Sequence, residues 1–133
     1  MLNNKTINVL VTGSALDSQA SLSALRFCYQ AAGSDYQIQQ VFFFAGAVNI
    51  ANALRIPLAD EFDHAKSWQT FSKENGVTLL ACIASSERRG VIGLESAADN
   101  AAKTLSLATG FSIAGLGQLQ DAMQSSDQMV VFK

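Results

Sequence analysis

Residues 7–12 read INVLVT, a mostly apolar and β-branched run that ends at Gly13. A short run of this kind is typical of a strand that is buried in a parallel sheet. Apolar residues then recur every three or four positions from Ala20 to Ala31, and Gly33 supplies a stop. The start of the chain therefore predicts a strand followed by a helix of about four turns.

Strand and helix patterns go on alternating along the rest of the chain. Further strands are predicted at 37–44, 77–83, 111–115 and 128–132, helices at 62–75, 94–109 and 116–125, and a loop at 87–93 (ERRGVIG). Parallel strands require crossover connections, which are usually helices. We therefore expect an α/β domain over residues 1–133, with a mainly parallel five-stranded sheet covered by helices on both faces.

Composition and charge exclude several classes of function. The net charge of −2 comes from nine Lys/Arg and eleven Asp/Glu, which leaves no basic footprint for a phosphate backbone, so we expect no direct nucleic-acid binding. One histidine and no Cys/His cluster leave a transition metal without ligands. The loop TGSALDSQ after the first strand lacks GxGxxG and GK[ST], and no G-x-S-x-G elbow is present. We assign His64 no role and expect it at the surface.

The sequence predicts a cytoplasmic protein. Its first residues, MLNNKTINVLVTG, lack the pattern of a signal peptide, and no apolar run approaches the ~20 residues of a membrane span. Two stretches, 36–54 and 104–120, contain no charged residue. They are either buried strands and helices or the surface of an oligomer interface.

Two cysteines, Cys28 and Cys82, are far apart and form no CxxC pair. Cys28 falls on the apolar face of the first helix, where a free thiol commonly acts as a small hydrophobe. Cys82 falls near the carboxyl end of the third strand, where reactive groups gather in α/β sheets. The thiolate is the nucleophile, so reactivity requires a local positive field, for which Arg88 and Arg89 are candidates. The residues alone leave a structural Cys82 and solvated arginines equally open.

Five blocks of the sequence resemble the DsrE/TusD sulfurtransferase family in content and in order. They are VTGSALDSQASLSALRF (11–27), VFFFAGAVNIANAL (41–54), DEFDHAKSWQ (60–69), LLACIASSERRGV (79–91) and GFSIAGLGQL (110–119). The resemblance runs nearly from end to end. It implies a flavodoxin-like sheet and a reactive cysteine before the RRGV loop, which is Cys82 here.

The resemblance also implies partners and a chemistry. Family members assemble with TusB- and TusC-like sister subunits, accept sulfur from a TusA-type donor and pass it to a TusE-type acceptor. The sulfur, carried as a cysteine persulfide without any cofactor, is destined for 2-thiouridine at the tRNA wobble position, so tRNA is met only indirectly. A DsrE-type role in oxidative sulfur metabolism and a non-catalytic assembly subunit are the alternatives. A thiolate-stabilising role for Arg88 and Arg89 is our hypothesis.

Overall fold

The computed structural model describes residues 5–94, 97 and 104–133. The elements follow the chain in this order: β1 (Lys5–Val11), α1 (Ala20–Ala32), β2 (Tyr36–Phe43), a 3₁₀ helix (Ala45–Ala51), α2 (His64–Asn75), β3 (Thr78–Cys82), α3 (Ile83–Arg88), β4 (Phe111–Ala114), α4 (Leu116–Ser125) and β5 (Gln128–Phe132).

The five strands form one sheet in the order β4-β3-β2-β1-β5, and each neighbouring pair is parallel. Each of the strands from β2 to β5 follows a segment for which the sequence predicts a helix, as the alternating pattern requires. The predicted α/β, flavodoxin-like architecture with a mainly parallel five-stranded sheet is confirmed. The carboxyl ends of all the strands consequently lie at one edge of the sheet.

Helices cover both faces of the sheet. Ile7 lines a cavity together with Phe27 and Ala31 of α1, whereas the Asn8 side-chain amide donates a 3.2 Å hydrogen bond to the carbonyl of Ala122 in α4. Successive side chains of a strand point to opposite faces, so α1 and α4 lie on opposite sides of β1. The aromatic part of the core lies on the α1 side, where the Phe43 ring meets the Trp68 ring of α2 edge-on at 5.3 Å.

Helix α2 begins two residues later than the apolar pattern predicts. Asp63 is the N-cap, and its carboxylate accepts a 3.1 Å hydrogen bond from the amide of Lys66. A cap residue has extended backbone geometry, so Phe62 and Asp63 precede the helix. At the other end Gly76 has the left-handed φ of 66° and stops α2 as the sequence predicts.

The predicted loop at 87–93 is wrong for its first two residues, because Glu87 and Arg88 are the last residues of α3. This helix follows β3 without an intervening loop, so the strand ends at Cys82 and not at residue 83. The segment IASSER has no apolar periodicity, and its serines are buried by tertiary packing. Sequence periodicity gave no signal for so short a helix.

Much of the helix predicted at 94–109 lies outside the described residues. The described part from residue 104 onwards is not helical: Leu107 forms an isolated antiparallel bridge with Asn52. The amide of Ala53 donates to the Ser106 carbonyl at 2.6 Å, and the amide of Ala108 donates to the Ala51 carbonyl at 2.7 Å. These backbone bonds to the end of the 3₁₀ helix replace helical ones, and tertiary pairing of this kind leaves no periodic pattern.

Candidate functional site

Cys82 lies where the sequence predicts, at the carboxyl end of β3, and it is also the N-cap residue of α3. Its partner across the sheet is Ala114, the last residue of β4. The thiol is free and the residue has 0% exposure. The sequence gives the position of Cys82 but not its enclosure, which arises from packing between α3, the 3₁₀ helix and the sheet.

Helix α3 is tied to the 3₁₀ helix by a side-chain bond. The hydroxyl of Ser85 accepts a 3.0 Å hydrogen bond from the amide of Ala45. Ala45 has a φ of 53°, in the left-handed region that a residue with a side chain rarely adopts. Such a conformation costs of order 1–3 kcal/mol and persists where surrounding contacts enforce it. Ser85 is therefore part of what holds the two elements beside Cys82 in place.

Ser86, the next residue, is also fully enclosed, but its hydroxyl oxygen has no hydrogen-bond partner within the described part of the chain. Its backbone carbonyl is satisfied, accepting a 2.8 Å bond from the amide of Val91. Another buried hydroxyl, that of Ser106, is fully used: it accepts from the amide of Ile92 at 2.8 Å and donates to the Gly90 carbonyl. A buried hydroxyl without a partner is uncommon in native structures.

Arg88 and Arg89 are exposed at the end of α3. The Arg89 guanidinium donates a 3.1 Å hydrogen bond to the carbonyl of Ser85, so it satisfies one of the last carbonyls of this helix. Over the residues that the structure describes, neither guanidinium donates a hydrogen bond to Cys82. The proposed effect of the arginines on Cys82 therefore depends on their long-range field.

Cys28 occupies the environment that the sequence predicts for a core residue. It lies in α1 with 0% exposure, and burial raises the pKa of its thiol to about 12. At neutral pH such a thiol is protonated, and the thiolate is the reactive form. The prediction that Cys28 is a core residue is confirmed.

His64 is not the plain surface residue that we expected from the sequence. It is half-buried, and its Nδ1 lies 2.9 Å from the hydroxyl of Ser21, which also accepts a 2.9 Å hydrogen bond from the indole N–H of Trp68. Because the Ser21 oxygen already accepts from Trp68, its own hydrogen is available to a neutral imidazole. Burial, followed by the nearby Arg55 charge, lowers the pKa of His64. The network joins α1 to α2. It arises from tertiary packing, and no sequence motif predicts it.

An exposed apolar segment follows the 3₁₀ helix. We define it as residues 54–58 (LRIPL), in which Leu54 is 63%, Ile56 87% and Leu58 67% exposed. Leu105, 50% exposed, lies beside it because Ala53 is bonded to Ser106. Within the charge-free stretch at 36–54, the buried residues lie in β2 and the 3₁₀ helix, where the interpretation as plain core holds, whereas Leu54 at its end is exposed and belongs to the apolar segment.

Among the residues described here, no group of three or more His, Cys, Asp or Glu side chains is arranged to hold a metal ion. The described helices include none long and apolar enough to cross a bilayer.

Comparison with known proteins identifies the family to which the chain belongs. The sequence profile of the DsrE/DsrF-like family matches residues 5–132. The chain belongs to the DsrE/DsrF-like family, which confirms the resemblance seen in the sequence.

Its similar relatives within that family carry more particular names. The chain is 38% identical over 127 residues to a sulfurtransferase TusD homolog of Vibrio parahaemolyticus, covering 96% of this chain and 97% of the relative. It is 36% identical over 124 residues to the sulfurtransferase TusD of Salmonella paratyphi B, covering 93% and 97%. Sulfur transfer is thus the activity for which these relatives are named.

Solved structures agree on the fold. The YchN protein of E. coli superimposes with a TM-score of 0.75 at 18% identity, covering 96% of this chain and 99% of that one. The BT1422 protein of Bacteroides thetaiotaomicron gives a TM-score of 0.63 at 13% identity, with coverage of 99% and 98%. At these identities the likeness concerns the fold alone.

Proposed function

We propose that this chain is a sulfurtransferase subunit that carries sulfur as a persulfide on Cys82. The observation that carries the proposal is the contrast between the two thiols. Both thiols are buried, but Cys82 lies at the carboxyl edge of the sheet, at a strand-to-helix junction, whereas Cys28 lies within α1 with its thiol pKa raised to about 12. The family membership and the names of the relatives support sulfur transfer as the activity.

Sulfur moves by exchange at the outer sulfur of a persulfide. The Cys82 thiolate attacks the outer sulfur of the donor persulfide, the donor S–S bond breaks, and the donor leaves as a thiolate. The acceptor thiolate then attacks the outer sulfur now bound to Cys82 and regenerates the Cys82 thiolate. Each step conserves the number of S–S bonds, so the relay needs no external oxidant, reductant or cofactor.

A TusA-type donor and a TusE-type acceptor are the proposed partners, within a hetero-oligomer that includes TusB- and TusC-like sister subunits in the cytoplasm. The proposed destination is 2-thiouridine at the tRNA wobble position, with tRNA met only indirectly. The exposed apolar segment at 54–58 supports association with other subunits, because contiguous exposed apolar surface marks interaction sites.

Access to Cys82 requires an opening of its cover, since the residue has 0% exposure. Helix α3 is short and is held to the 3₁₀ helix through Ser85 and Ala45. We propose that partner binding loosens this contact and admits the donor persulfide.

Arg88 and Arg89, exposed at the end of the same helix, are proposed to favour the Cys82 thiolate through their charge. Neutralising both with glutamine should then shift the pH profile of Cys82 alkylation to higher pH, and an unchanged profile would remove them from the site.

Intact-protein mass spectrometry tests the carrier role. Wild type, Cys82→Ser and the matched control Cys28→Ser are incubated with a cysteine desulfurase, cysteine and a TusA-type carrier. We expect wild type and Cys28→Ser to gain the mass of one sulfur that reductant removes, and Cys82→Ser to gain none. Loss of the gain in Cys28→Ser, with Cys82→Ser still loaded, would move the site to Cys28. Loading of neither thiol in wild type would favour an assembly subunit without a carrier role.

A further inference from the structure

Two buried side-chain atoms of the described residues lack a hydrogen-bond partner, Asn8 Oδ1 and Ser86 Oγ. The Asn8 side chain is otherwise engaged, because its amide nitrogen donates to Gln39 and to the Ala122 carbonyl. Ser86 has no other side-chain polar atom. Its unused hydroxyl lies on α3, one turn after Cys82, and both residues have 0% exposure.

The direction of the Ser86 side chain is set by helix geometry. Side chains on a helix lean towards its N-terminus, and residues four apart lie on the same face. The Ser86 side chain therefore leans back over the first turn of α3, which follows the N-cap residue Cys82. A serine within a helix commonly donates to the carbonyl four residues earlier, which here is the carbonyl of Cys82, and this bond is not made.

We propose that the Ser86 hydroxyl donates a hydrogen bond to the outer sulfur of a persulfide on Cys82. This inference rests on the proposed function. When the Cys82 thiolate attacks a donor persulfide, a new S–S bond forms at Cys82 as the donor S–S bond breaks, and the negative charge remains on the transferred outer sulfur. The Ser86 proton is donated as a hydrogen bond and is not transferred.

The enclosure of the site makes such a donor effective. A charged acceptor that enters a space away from water loses its hydration, and a hydrogen bond to a charged group is stronger there than a neutral one. The described part of the unloaded chain offers the Ser86 hydroxyl no partner, whereas the loaded chain would bring an anionic sulfur to the same turn of α3. Ser86 would thus stabilise the carrier form and leave the unloaded thiol unaffected.

The experiment compares wild type, Ser86→Ala, Ser86→Thr and Ser85→Ala after loading with the desulfurase system. Mass spectrometry follows the loss of the outer sulfur to a low concentration of cyanide, and alkylation as a function of pH reports where the outer sulfur loses its proton. We expect Ser86→Ala to load but to lose sulfur about tenfold faster, with the alkylation profile moved up by about one pH unit. Ser86→Thr, which keeps a hydroxyl, should restore much of the wild-type lifetime.

Ser85→Ala is the matched control, because it removes a buried hydroxyl from the same helix that bonds to Ala45. It should lower thermal stability and, because it loosens the contact that encloses Cys82, shorten the persulfide lifetime through easier access of cyanide, but it should leave the pH at which the outer sulfur loses its proton unchanged. An unchanged alkylation profile in Ser86→Ala, or equal shifts of the profile in Ser86→Ala and Ser85→Ala, would overturn the proposal, the latter by attributing the effect to a loosened α3. If Ser86→Ala aggregates, Ser86→Gly provides the same comparison. Failure of wild type to load would instead contradict the proposed function itself.

Discussion

Adjacent serines on α3 have opposite hydrogen-bonding states beside the candidate cysteine. Ser85 is bonded to the amide of Ala45, whereas the Ser86 hydroxyl has no partner in the described part of the structure. The sequence places Cys82 at the end of its strand, because an apolar run followed by polar residues is visible in the letters. It does not distinguish the two serines, because burial and partners depend on how α3 packs against the 3₁₀ helix.

Because Ser85 and Ser86 differ in hydrogen bonding, replacing each by alanine should change the free energy of unfolding by different amounts. Ser85→Ala leaves the Ala45 amide without its acceptor, so we expect a loss of about 1–3 kcal/mol. Ser86→Ala removes a buried hydroxyl that makes no hydrogen bond to the residues that the structure describes, so it should be neutral or stabilising. Urea denaturation of the unloaded proteins measures both. A larger loss for Ser86→Ala than for Ser85→Ala would contradict this account of the two hydroxyls.

The elements divide into those whose signals are local and those formed by tertiary contacts. The bounds predicted for α4 and β5 match the structure, because each has its own periodicity and ends at a change in pattern. The sequence does not predict helix α3, and residues 104–109 of the helix predicted at 94–109 are not helical, because burial in one case and backbone pairing in the other override local propensity. Strand order was also beyond the sequence, since an alternating pattern is compatible with several orders.

Two glycines offer a test of how the helix ends are specified. Gly76 has a φ of 66°, and Gly117 lies within α4; an added Cβ would meet nothing within 4 Å at either position. Gly76→Ala should destabilise the fold by about 1 kcal/mol because alanine is strained at that φ. Gly117→Ala should stabilise it by up to about 1 kcal/mol because alanine favours the helix. Chemical denaturation measures both, and shifts of the same sign would contradict the explanation.

The contact between α1 and α2 should depend on pH through His64. Burial and Arg55 lower the pKa of His64 in the folded state, so the unfolded state binds its proton more readily. Its contribution to stability is present above the unfolded value of about 6.5 and is lost as pH falls through that value towards the lower folded pKa. We expect His64→Gln to lose less thermal stability than wild type between pH 7.5 and 5.5. Identical pH dependence in the two proteins would show that His64 does not contribute.

At the scale of the whole molecule, the apolar segment at 54–58 exposes large hydrophobic side chains to water when the chain is isolated. We expect the isolated protein to associate with itself, because Leu54, Ile56 and Leu58 are more than half exposed. Ile56→Asp should reduce this association, while Lys73→Asp on α2 serves as a control charge change away from the segment. Analytical ultracentrifugation distinguishes the cases. A wild-type monomer at all concentrations tested would contradict the role of the segment.

The central claim is that Cys82, and not Cys28, carries the sulfur, and locating that sulfur tests it most directly. Wild type is loaded, its outer sulfur is trapped by alkylation, and the digested protein is mapped by peptide mass spectrometry. The account predicts the alkylated persulfide on the peptide that contains Cys82 and an unmodified Cys28. The added sulfur on the Cys28 peptide, or on neither peptide, would contradict it.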